Sequence, residues 1–423
     1  MKLAAVHLTY CTNIHAGESW KDHFQSLKEK FPLIKKQVAG TESMGIGLRL
    51  SNRASIDLAD DLILDEFKAW LKENNAYVFT MNGFPYGDFH HAIVKDKVHA
   101  PDWTSKERVD YTTRLFEILA KLLPAGMEGG VSTSPLSYRY WYVSEVESRK
   151  AIELATRNIV SILEKLYLFK TEQGVTLHLD IEPEPDGLLE TGKEFIDWYQ
   201  HILLPMAIEV LTSKHQISSE EAINALHEHI TLCYDVCHFA IGYEPHQQVL
   251  DDLAGNQIRV GKVQISAALK SDLPSGTDAR TKISEAFSGF NEPTYLHQVV
   301  ARKKDQELIR YRDLPDALKT IQNPEVEEYR AHFHVPIFLE DLGLLKSTQS
   351  DIIEVLKIQG AEPFTDHLEV ETYTWEVLPD ELKVPMDQSI SRELNWVVGE
   401  LKMNQGTNLP AGRQGARLTK GKP

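Results

Sequence analysis

The chain has 423 residues, of which 42% are hydrophobic and 25% are charged, and this balance excludes a protein that is disordered throughout. Its 45 basic and 62 acidic side chains give a net charge of -17, which repels phosphate backbones and disfavours general nucleic-acid binding. Three cysteines are too few for a disulfide framework. The sequence has no apolar run of the ~20 residues that a membrane span needs and no recognisable secretory signal. A cytoplasmic protein is therefore expected.

Short segments rich in β-branched and apolar residues alternate with longer amphipathic segments, which is typical of parallel strands joined by crossover helices. Nine strands are predicted, at residues 3–10, 45–50, 76–81, 129–133, 175–181, 230–235, 262–266, 332–339 and 367–374. Helices are predicted at 55–74, 106–123, 145–170, 191–213 and 219–229. Eight such units close into a barrel of about 250 residues that tolerates long insertions. We therefore predict an α/β fold, a single TIM (β/α)8 barrel over residues 1–400 with one strand outside it.

Two regions depart from this pattern. Residues 267–317 contain Gly-rich turns and a predicted hairpin of 295–300 with 308–312, so they are predicted to be an insertion that covers one end of the barrel. Residues 403–423 lose apolar periodicity and become basic, which predicts a disordered tail.

Acidic residues stand at the ends of three predicted strands, where barrels of this kind carry their working groups. They are Glu182, Asp235, which His238 follows three residues later, and the pair Glu369 and Glu371 on one strand face. Each has a structural alternative: a strand end or helix cap for Glu182, a buried structural role for His238, and lysine ion pairs for the last two glutamates. Because converging buried carboxylates need a compensating cation, together they predict a divalent-metal site.

The sequence leaves the remaining ligand and the ion open. Gln264 and His334 both lie at chain separations that suit a further ligand. Oxygen ligands favour Mn²⁺ or Mg²⁺, whereas an added imidazole shifts the preference toward Zn²⁺, Co²⁺ or Fe²⁺.

Further polar and aromatic residues near the same strand ends are candidate substrate contacts. They are Asn13, His15, Asn82, Phe84 and His332, for which helix capping or packing is the alternative. No Gly-x-Gly-x-x-Gly follows a strand, and no phosphate-binding loop or nucleophile elbow occurs, so nucleotide cofactors lack support.

Seven segments together resemble the metabolite traffic protein EboE family, over nearly all residues up to about 385. They are VHLTYCTNIH at 6–15, NGFPYG at 82–87, DIEPEP at 180–185, YDVCH at 234–238, YLHQV at 295–299, HFHVP at 332–336 and EVETYTW at 369–375. That family belongs to the xylose-isomerase-like barrels, which include sugar epimerases, inosose dehydratases and the endonuclease IV type of repair enzyme. The family name records a role in moving a metabolite precursor and defines no reaction.

The resemblance implies a metal held by a Glu, an Asp, a His and a second Glu from the last four strands. Glu182 matches the first Glu, Asp235 the Asp, and Glu371 the final Glu, with Glu369 as the alternative. His238 stands at a position that often contacts substrate. Gln264 stands where the epimerases have His, which is the departure from their pattern, while His334 comes only after the insertion.

These observations predict a metal-dependent isomerase or epimerase acting on a sugar, cyclitol or similar polyhydroxylated metabolite. Glu182 and Glu371 would exchange the proton through a metal-bound enediolate. The alternative is a non-catalytic protein that binds such a metabolite and passes it to partner proteins of its pathway. A phosphodiesterase of the endonuclease IV type ranks lower because of the acidic charge, and the oligomeric state is not predicted.

Overall fold

The computed structural model describes residues 1–3, 6–87, 89 and 93–406. In chain order, its strands are β1 (Lys2–Leu3), β2 (Val6–Tyr10), β3 (Met44–Arg49), β4 (Ala76–Asn82), β5 (Gly129–Thr133), β6 (Leu177–Ile181), β7 (Ile230–Asp235), β8 (Val260–Ile265), β9 (Leu269–Asp272), β10 (Val299–Lys303), β11 (Leu308–Tyr311), β12 (Val326–Ala331), β13 (Asp341–Leu342), β14 (Leu345–Ser347) and β15 (His367–Val370).

The α-helices cover the outside of the strands. They are α1 (Trp20–Val38), α2 (Asn52–Leu58), α3 (Asp61–Glu73), α4 (Lys106–Leu122), α5 (Glu145–Gln173), α6 (Gly192–Trp198), α7 (Leu204–His215), α8 (Ser219–His229), α9 (Val236–Ile241), α10 (His246–Gly255), α11 (Thr277–Ser288), α12 (Leu314–Leu318), α13 (Gln349–Ala361) and α14 (Met386–Gly406). Serine side chains cap several of their first turns, with a full capping box between Ser218 and Glu221 at α8. None of the helices among the described residues combines the length and the apolar character that crossing a membrane requires.

Eight parallel strands form a closed barrel in the order β2, β3, β4, β5, β6, β7, β8 and β15. The closure between β2 and β3 uses a parallel bridge from Cys11 to Gly47 and two hydrogen bonds of Thr9 Oγ1, which donates to the Gly45 oxygen and accepts from the Gly47 amide. The short β1 pairs antiparallel with β2. The strand order confirms the predicted TIM barrel, whose main apolar core lies between the strands and the surrounding helices.

The part of the chain between β8 and α13 forms a second sheet. This sheet lies on the side of the barrel where the carboxyl ends of the strands lie. Its six strands are antiparallel in the order β11, β10, β12, β9, β14 and β13. The predicted hairpin is present as β10 and β11, although β10 begins at Val299 rather than at residue 295. This sheet continues past the predicted insertion limit at residue 317, because β12 and β14 belong to it.

The predicted strand at 332–339 is wrong. Strand β12 ends at Ala331, and the following residues form a loop across the barrel mouth, with the Val335 amide donating to the Ala267 oxygen. The alternating pattern arises because Phe333, Val335 and Ile337 are buried beneath this loop. Pro336, which has no amide proton, interrupts any regular ladder.

Of the predicted C-terminal tail, only residues 403–406 lie within the part of the chain that the structure describes. Helix α14 continues through Gly406, so residues 403–406 are helical rather than part of a tail. Residues 407–423 lie outside the described residues.

Candidate metal centre and mouth cavity

Three carboxylates meet at the carboxyl end of the barrel. Glu182 follows β6, Asp235 ends β7 and Glu371 follows β15, and each places one oxygen within 4.8 Å of an oxygen of the other two. All three side chains are at most 5% exposed. The structure therefore brings together the acidic residues that the sequence singled out at separate strand ends.

Burial is the main influence on the pKa values of the two glutamates in this cluster. It raises the pKa of Glu182 and of Glu371 well above the usual range, and the negative charge of Asp235 raises both further. The ammonium group of Lys262, deeper in the barrel, opposes this effect. Such a site gains much stability from a bound cation, because mutual repulsion is strong where water is excluded.

His334, rather than Gln264, lies beside the carboxylate cluster, next to Asp235. A ring nitrogen of His334 is within 4.8 Å of Asp235 and His238 donor atoms. Its Nδ1 donates to the Glu371 carbonyl oxygen at 2.9 Å, which leaves Nε2 as the atom with the lone pair. Nε2 is buried and has no hydrogen-bond partner among the described residues. Burial lowers the pKa of His334 to about 4, so the ring is neutral at pH 7.

Neighbouring side chains hold two of the carboxylates in place. The amides of Asn13 and Asn82 both donate to Glu371 Oε1, at 2.8 and 2.9 Å. Ser266 Oγ donates to Asp235 Oδ1 at 2.6 Å. Asn13 and Asn82, predicted as substrate contacts, thus also position a carboxylate.

Glu369 and Gln264 lie one layer deeper in the barrel and do not line the mouth cavity. Strand register pairs them with each other. Glu369 Oε2 accepts from Lys262 Nζ at 2.6 Å, which is the ion pair that the sequence left open as an alternative. Gln264 Oε1 accepts from Cys233 Sγ at 3.1 Å, and its Nε2 has no partner among the described residues.

His238 and His332 lie side by side at the mouth. His238 Nδ1 donates to the Pro183 oxygen at 2.9 Å, and its Nε2 lies 3.2 Å from His332 Nε2. His332 Nδ1 donates to Gln298 Oε1 at 2.9 Å. Burial lowers the pKa of His332 well below its usual range, so its ring is neutral. Both histidines, which the sequence predicts as substrate contacts, line the cavity.

The mouth cavity has a volume of about 60 Å³ and is bounded by polar and aromatic side chains. Phe84 lines it as predicted, whereas His15 does not, because its Nε2 lies 3.1 Å from Tyr10 Oη within the core. The structure adds cavity residues that the sequence interpretation did not select: His99, Glu184, Tyr295, Gln298 and Tyr373.

Sequence signals for these additional residues are weak. Glu184 alternates with Glu182 after β6 and could have been chosen on that basis. His99 ends a short 3₁₀ helix, Lys95–His99, in the long connection between β4 and α4. Tyr295 and Gln298 belong to the insertion, so strand-end patterns select none of the three.

The donor set fits a divalent cation. Glu182 Oε2, Asp235 Oδ2 and His334 Nε2 are all buried without a hydrogen-bond partner among the described residues. Asp235 belongs both to the carboxylate cluster and to the group that it forms with His238 and His334. Buried polar atoms are almost always paired, so the lack of partners at this site indicates a missing positive partner. Carboxylate oxygens with one imidazole nitrogen suit Mn²⁺ and Mg²⁺ and also accommodate Zn²⁺ or Co²⁺.

Comparison with known proteins gives no family assignment, since no protein-family model and no curated protein matches this sequence. Similar solved structures include the IOLI protein with a binding zinc atom, at 13% identity over 96% of this chain and 100% of that chain with a TM-score of 0.44. Another is a xylose isomerase-like TIM barrel protein from Mycobacterium smegmatis in complex with magnesium, at 9% identity, covering 88% and 87%, with a TM-score of 0.44. A third is the probable 3-DHS dehydratase AsbF from Bacillus anthracis, at 12% identity, covering 94% and 99%, with a TM-score of 0.41. At this level of similarity the barrel is established by its own strand order, and membership of the EboE family stays a prediction.

Proposed function

We propose that the chain is a divalent-metal-dependent isomerase or epimerase that acts on a sugar, cyclitol or similar polyhydroxylated metabolite. The observation that carries this proposal is the meeting of Glu182, Asp235 and Glu371 within 4.8 Å at the carboxyl end of the barrel. Catalytic groups of TIM barrels lie at this end. Two carboxylates beside one cation are the groups needed to remove a carbon-bound proton and return it.

The ion would be held by Glu182, Asp235 and Glu371 through oxygen and by His334 through Nε2. When bound, a divalent ion supplies Lewis-acid polarisation of neighbouring ligand oxygens. The role of His334 as the nitrogen ligand is supported by its fixed tautomer, with Nδ1 bound to the Glu371 carbonyl oxygen. The loop that follows β12 would then provide the ligand, since the Gln264 side chain lies too deep in the barrel.

Glu182 and Glu371 are the proposed proton-transfer groups. Without a cation, burial and the neighbouring carboxylates raise the pKa of each, so each holds a proton more tightly than an exposed carboxyl does. Asn13 and Asn82 fix Glu371 by its Oε1 atom. His238 Nδ1 lies 3.7 Å from Glu182 Oε1 and is oriented by the Pro183 oxygen, so it is suited to contact a ligand hydroxyl.

An aromatic wall bounds the cavity and would have to move when a ligand enters. The wall consists of Phe89, Tyr295 and Tyr373, whose ring centroids lie 5.0 to 5.3 Å apart. The cavity of about 60 Å³ is smaller than the ~300 to 1,000 Å³ of typical small-molecule sites. A wall that closes over a bound polyol would also keep water from the proton-transfer groups.

Exchange of carbon-bound protons with deuterated solvent tests the proposal. We expect the Mn²⁺-loaded chain to wash deuterium into at least one member of a panel of ketoses and inososes, followed by NMR. Glu182→Gln and Glu371→Gln should each reduce the rate by about 100-fold or more, because removing an acid or base group typically costs 10²- to 10⁴-fold. Glu354→Gln, the same chemical change on the exposed face of α13, serves as the control.

Exchange that persists in both variants would contradict the proposal. Tight binding of metal and polyol with no exchange would support a protein that carries the metabolite instead of converting it. A role in metabolite traffic, with partner proteins of one pathway, is the part of the proposal that rests on the resemblance to the EboE family. A cytoplasmic location also belongs to the proposal, and the three buried free cysteines are compatible with it.

A further inference from the structure

Two polar side chains of the mouth cavity are not used by the proposed metal centre. His99 and Glu184 both line the cavity, and they are 1% and 6% exposed. His99 Nε2 lies 3.8 Å from Glu184 Oε2, beyond hydrogen-bond distance. Both ring nitrogens of His99 and the Oε2 atom of Glu184 lack a hydrogen-bond partner among the described residues.

Aromatic side chains surround the ring of His99. The ring of His99 packs at 5.4 Å from Phe84, 5.2 Å from Tyr138 and 6.3 Å from Trp141. Buried polar atoms without partners cost free energy, and native proteins retain them mainly where a ligand or ordered water completes the bonds. His99 and Glu184 therefore form a second polar point in the cavity, separate from the proposed ligands.

The lining of the cavity offers little positive charge to a ligand. Lys95 is the only lysine or arginine among the described cavity residues, and its Nζ lies 2.8 Å from Asp313 Oδ2. Arg108 is buried behind the lining, where its Nη1 donates to the carbonyl oxygens of Gly83 and Phe84 and its Nη2 has no hydrogen-bond partner among the described residues. A phosphate ester would thus enter a cavity whose described lining has several carboxyl groups and, as its one cation, an ion-paired lysine.

We propose that His99 and Glu184 recognise hydroxyl groups at the end of the ligand remote from the metal centre, and that they select unphosphorylated polyols over their phosphate esters. This inference rests on the proposed function and narrows its substrate class. It identifies the pair as specificity-determining residues.

The chemistry of the pair matches hydroxyl groups. Burial lowers the pKa of His99 to about 3, so the neutral ring offers one donor and one acceptor. A hydroxyl also donates once and accepts, so one ligand hydroxyl can bond the ring while a neighbouring one bonds Glu184. A phosphate dianion has no hydrogen to donate, so it would leave the ring acceptor unpaired, and its two charges would be buried among carboxyl groups.

Calorimetric titration of the full, Mn²⁺-loaded chain tests the inference with matched probes: fructose against fructose 6-phosphate, and myo-inositol against its 1-phosphate. We expect at least one neutral polyol to bind about tenfold or more tightly than its phosphate. His99→Phe, which keeps the aromatic packing, and Glu184→Gln should each weaken that binding by about tenfold, since each leaves ligand groups unpaired. The exposed Glu354→Gln is the control and should bind as the wild type does.

A second measurement locates the binding. Imidazole ¹⁵N signals assigned to His99, by their absence in His99→Phe, should shift on addition of the neutral polyol. Equal or tighter binding of the phosphates, unchanged affinity in both variants, or no binding of either neutral polyol would overturn the inference. If metal stoichiometry and solvent exchange persist in that case, the proposed function stands and only the selectivity is wrong.

Discussion

Glu369 and Glu371 stand two residues apart on the same strand face, yet the protein treats their charges differently. Glu369 pairs with Lys262 at 2.6 Å, and Lys262 also donates to Ser132 Oγ at 2.9 Å. Glu371 receives amide donors from Asn13 and Asn82, without an ion pair among the described residues, and shares its surroundings with Asp235. Both glutamates are buried to a similar degree.

The difference separates a structural layer from a ligand-binding layer of the barrel interior. In the lower layer, the chain supplies the cation itself, as Lys262. Gly47 of β3 makes room for the Glu369 carboxylate, because a Cβ at this position would overlap Glu369 Oε1. In the upper layer, three carboxylates converge, and the described residues supply amides and a hydroxyl but no lysine or arginine partner. The upper layer is therefore where an external cation has most to contribute.

Removing the internal cation should have the largest effect. Lys262→Met leaves Glu369 buried without an ionic partner, and we expect the free energy of unfolding in urea to fall by about 3 to 5 kcal/mol. The double variant Lys262→Met/Glu369→Leu removes both charges and should recover most of this loss. A single variant as stable as the wild type would contradict the division into layers.

Glu393 extends the comparison to a buried carboxyl outside the barrel. It is 1% exposed, it accepts from Thr372 Oγ1 at 2.8 Å, and burial raises its pKa from 4.5 to about 7. The folded chain thus holds this proton more tightly than the unfolded chain, so the stabilising contribution is complete below pH 4.5 and is lost as the pH rises through 7. The change corresponds to about 3 kcal/mol. The unfolding free energy of the wild type and of Glu393→Gln should be measured at pH 4.5 and at pH 7.5, and the variant should lack this component of the pH dependence. The same pH dependence in both proteins would show that Glu393 does not titrate in this window.

A divalent ion should stabilise the folded chain by binding at the upper layer and not at the lower one. At 100 times its dissociation constant, Mn²⁺ should raise the unfolding free energy of the wild type by about 2.7 kcal/mol, and a chelator should reverse the effect. Asp235→Asn should lose this increment. Asp180→Asn makes the same chemical change one layer lower and should retain the increment, whatever its own stability. Equal increments in both variants would place the ion elsewhere.

The sequence predicts the barrel well because its strands are buried, apolar and regularly spaced. Eight of the nine predicted segments are barrel strands, including the segments that end at Asp235 and precede Glu182. The carboxylate cluster could be predicted for the same reason, since parallel strands carry their carboxyl ends to one side. The loop after Ala331 was mistaken for a strand because its apolar side chains alternate, although they anchor a loop to the core.

The third ligand could not be chosen from strand positions alone. Gln264 occupies the expected strand, but its side chain faces Cys233 in the lower layer. His334 comes from a loop whose path depends on the antiparallel insertion, so its approach to Asp235 is a matter of tertiary packing. His99 was missed for a similar reason, because it enters the cavity from the long connection between β4 and α4.

The predictions with the smallest expected effects compare one hydroxyl group in each layer. Ser266 Oγ donates to Asp235 in the upper layer, and Thr231 Oγ1 donates to Asp180 in the lower layer. Thr231→Val should cost about 1 kcal/mol of unfolding free energy, the typical value of one such hydrogen bond. Ser266→Ala should cost about 1 to 2 kcal/mol, because Ser266 Oγ also accepts from the Cys237 amide at 3.0 Å. Only Ser266→Ala should weaken Mn²⁺ binding, by about tenfold, because the loss of a hydrogen bond to a metal ligand lowers metal affinity. Calorimetric titration of both variants measures this difference directly. Equal weakening in the two would mean that Asp180 and Asp235 influence the ion alike, and the distinction between the layers would then fail.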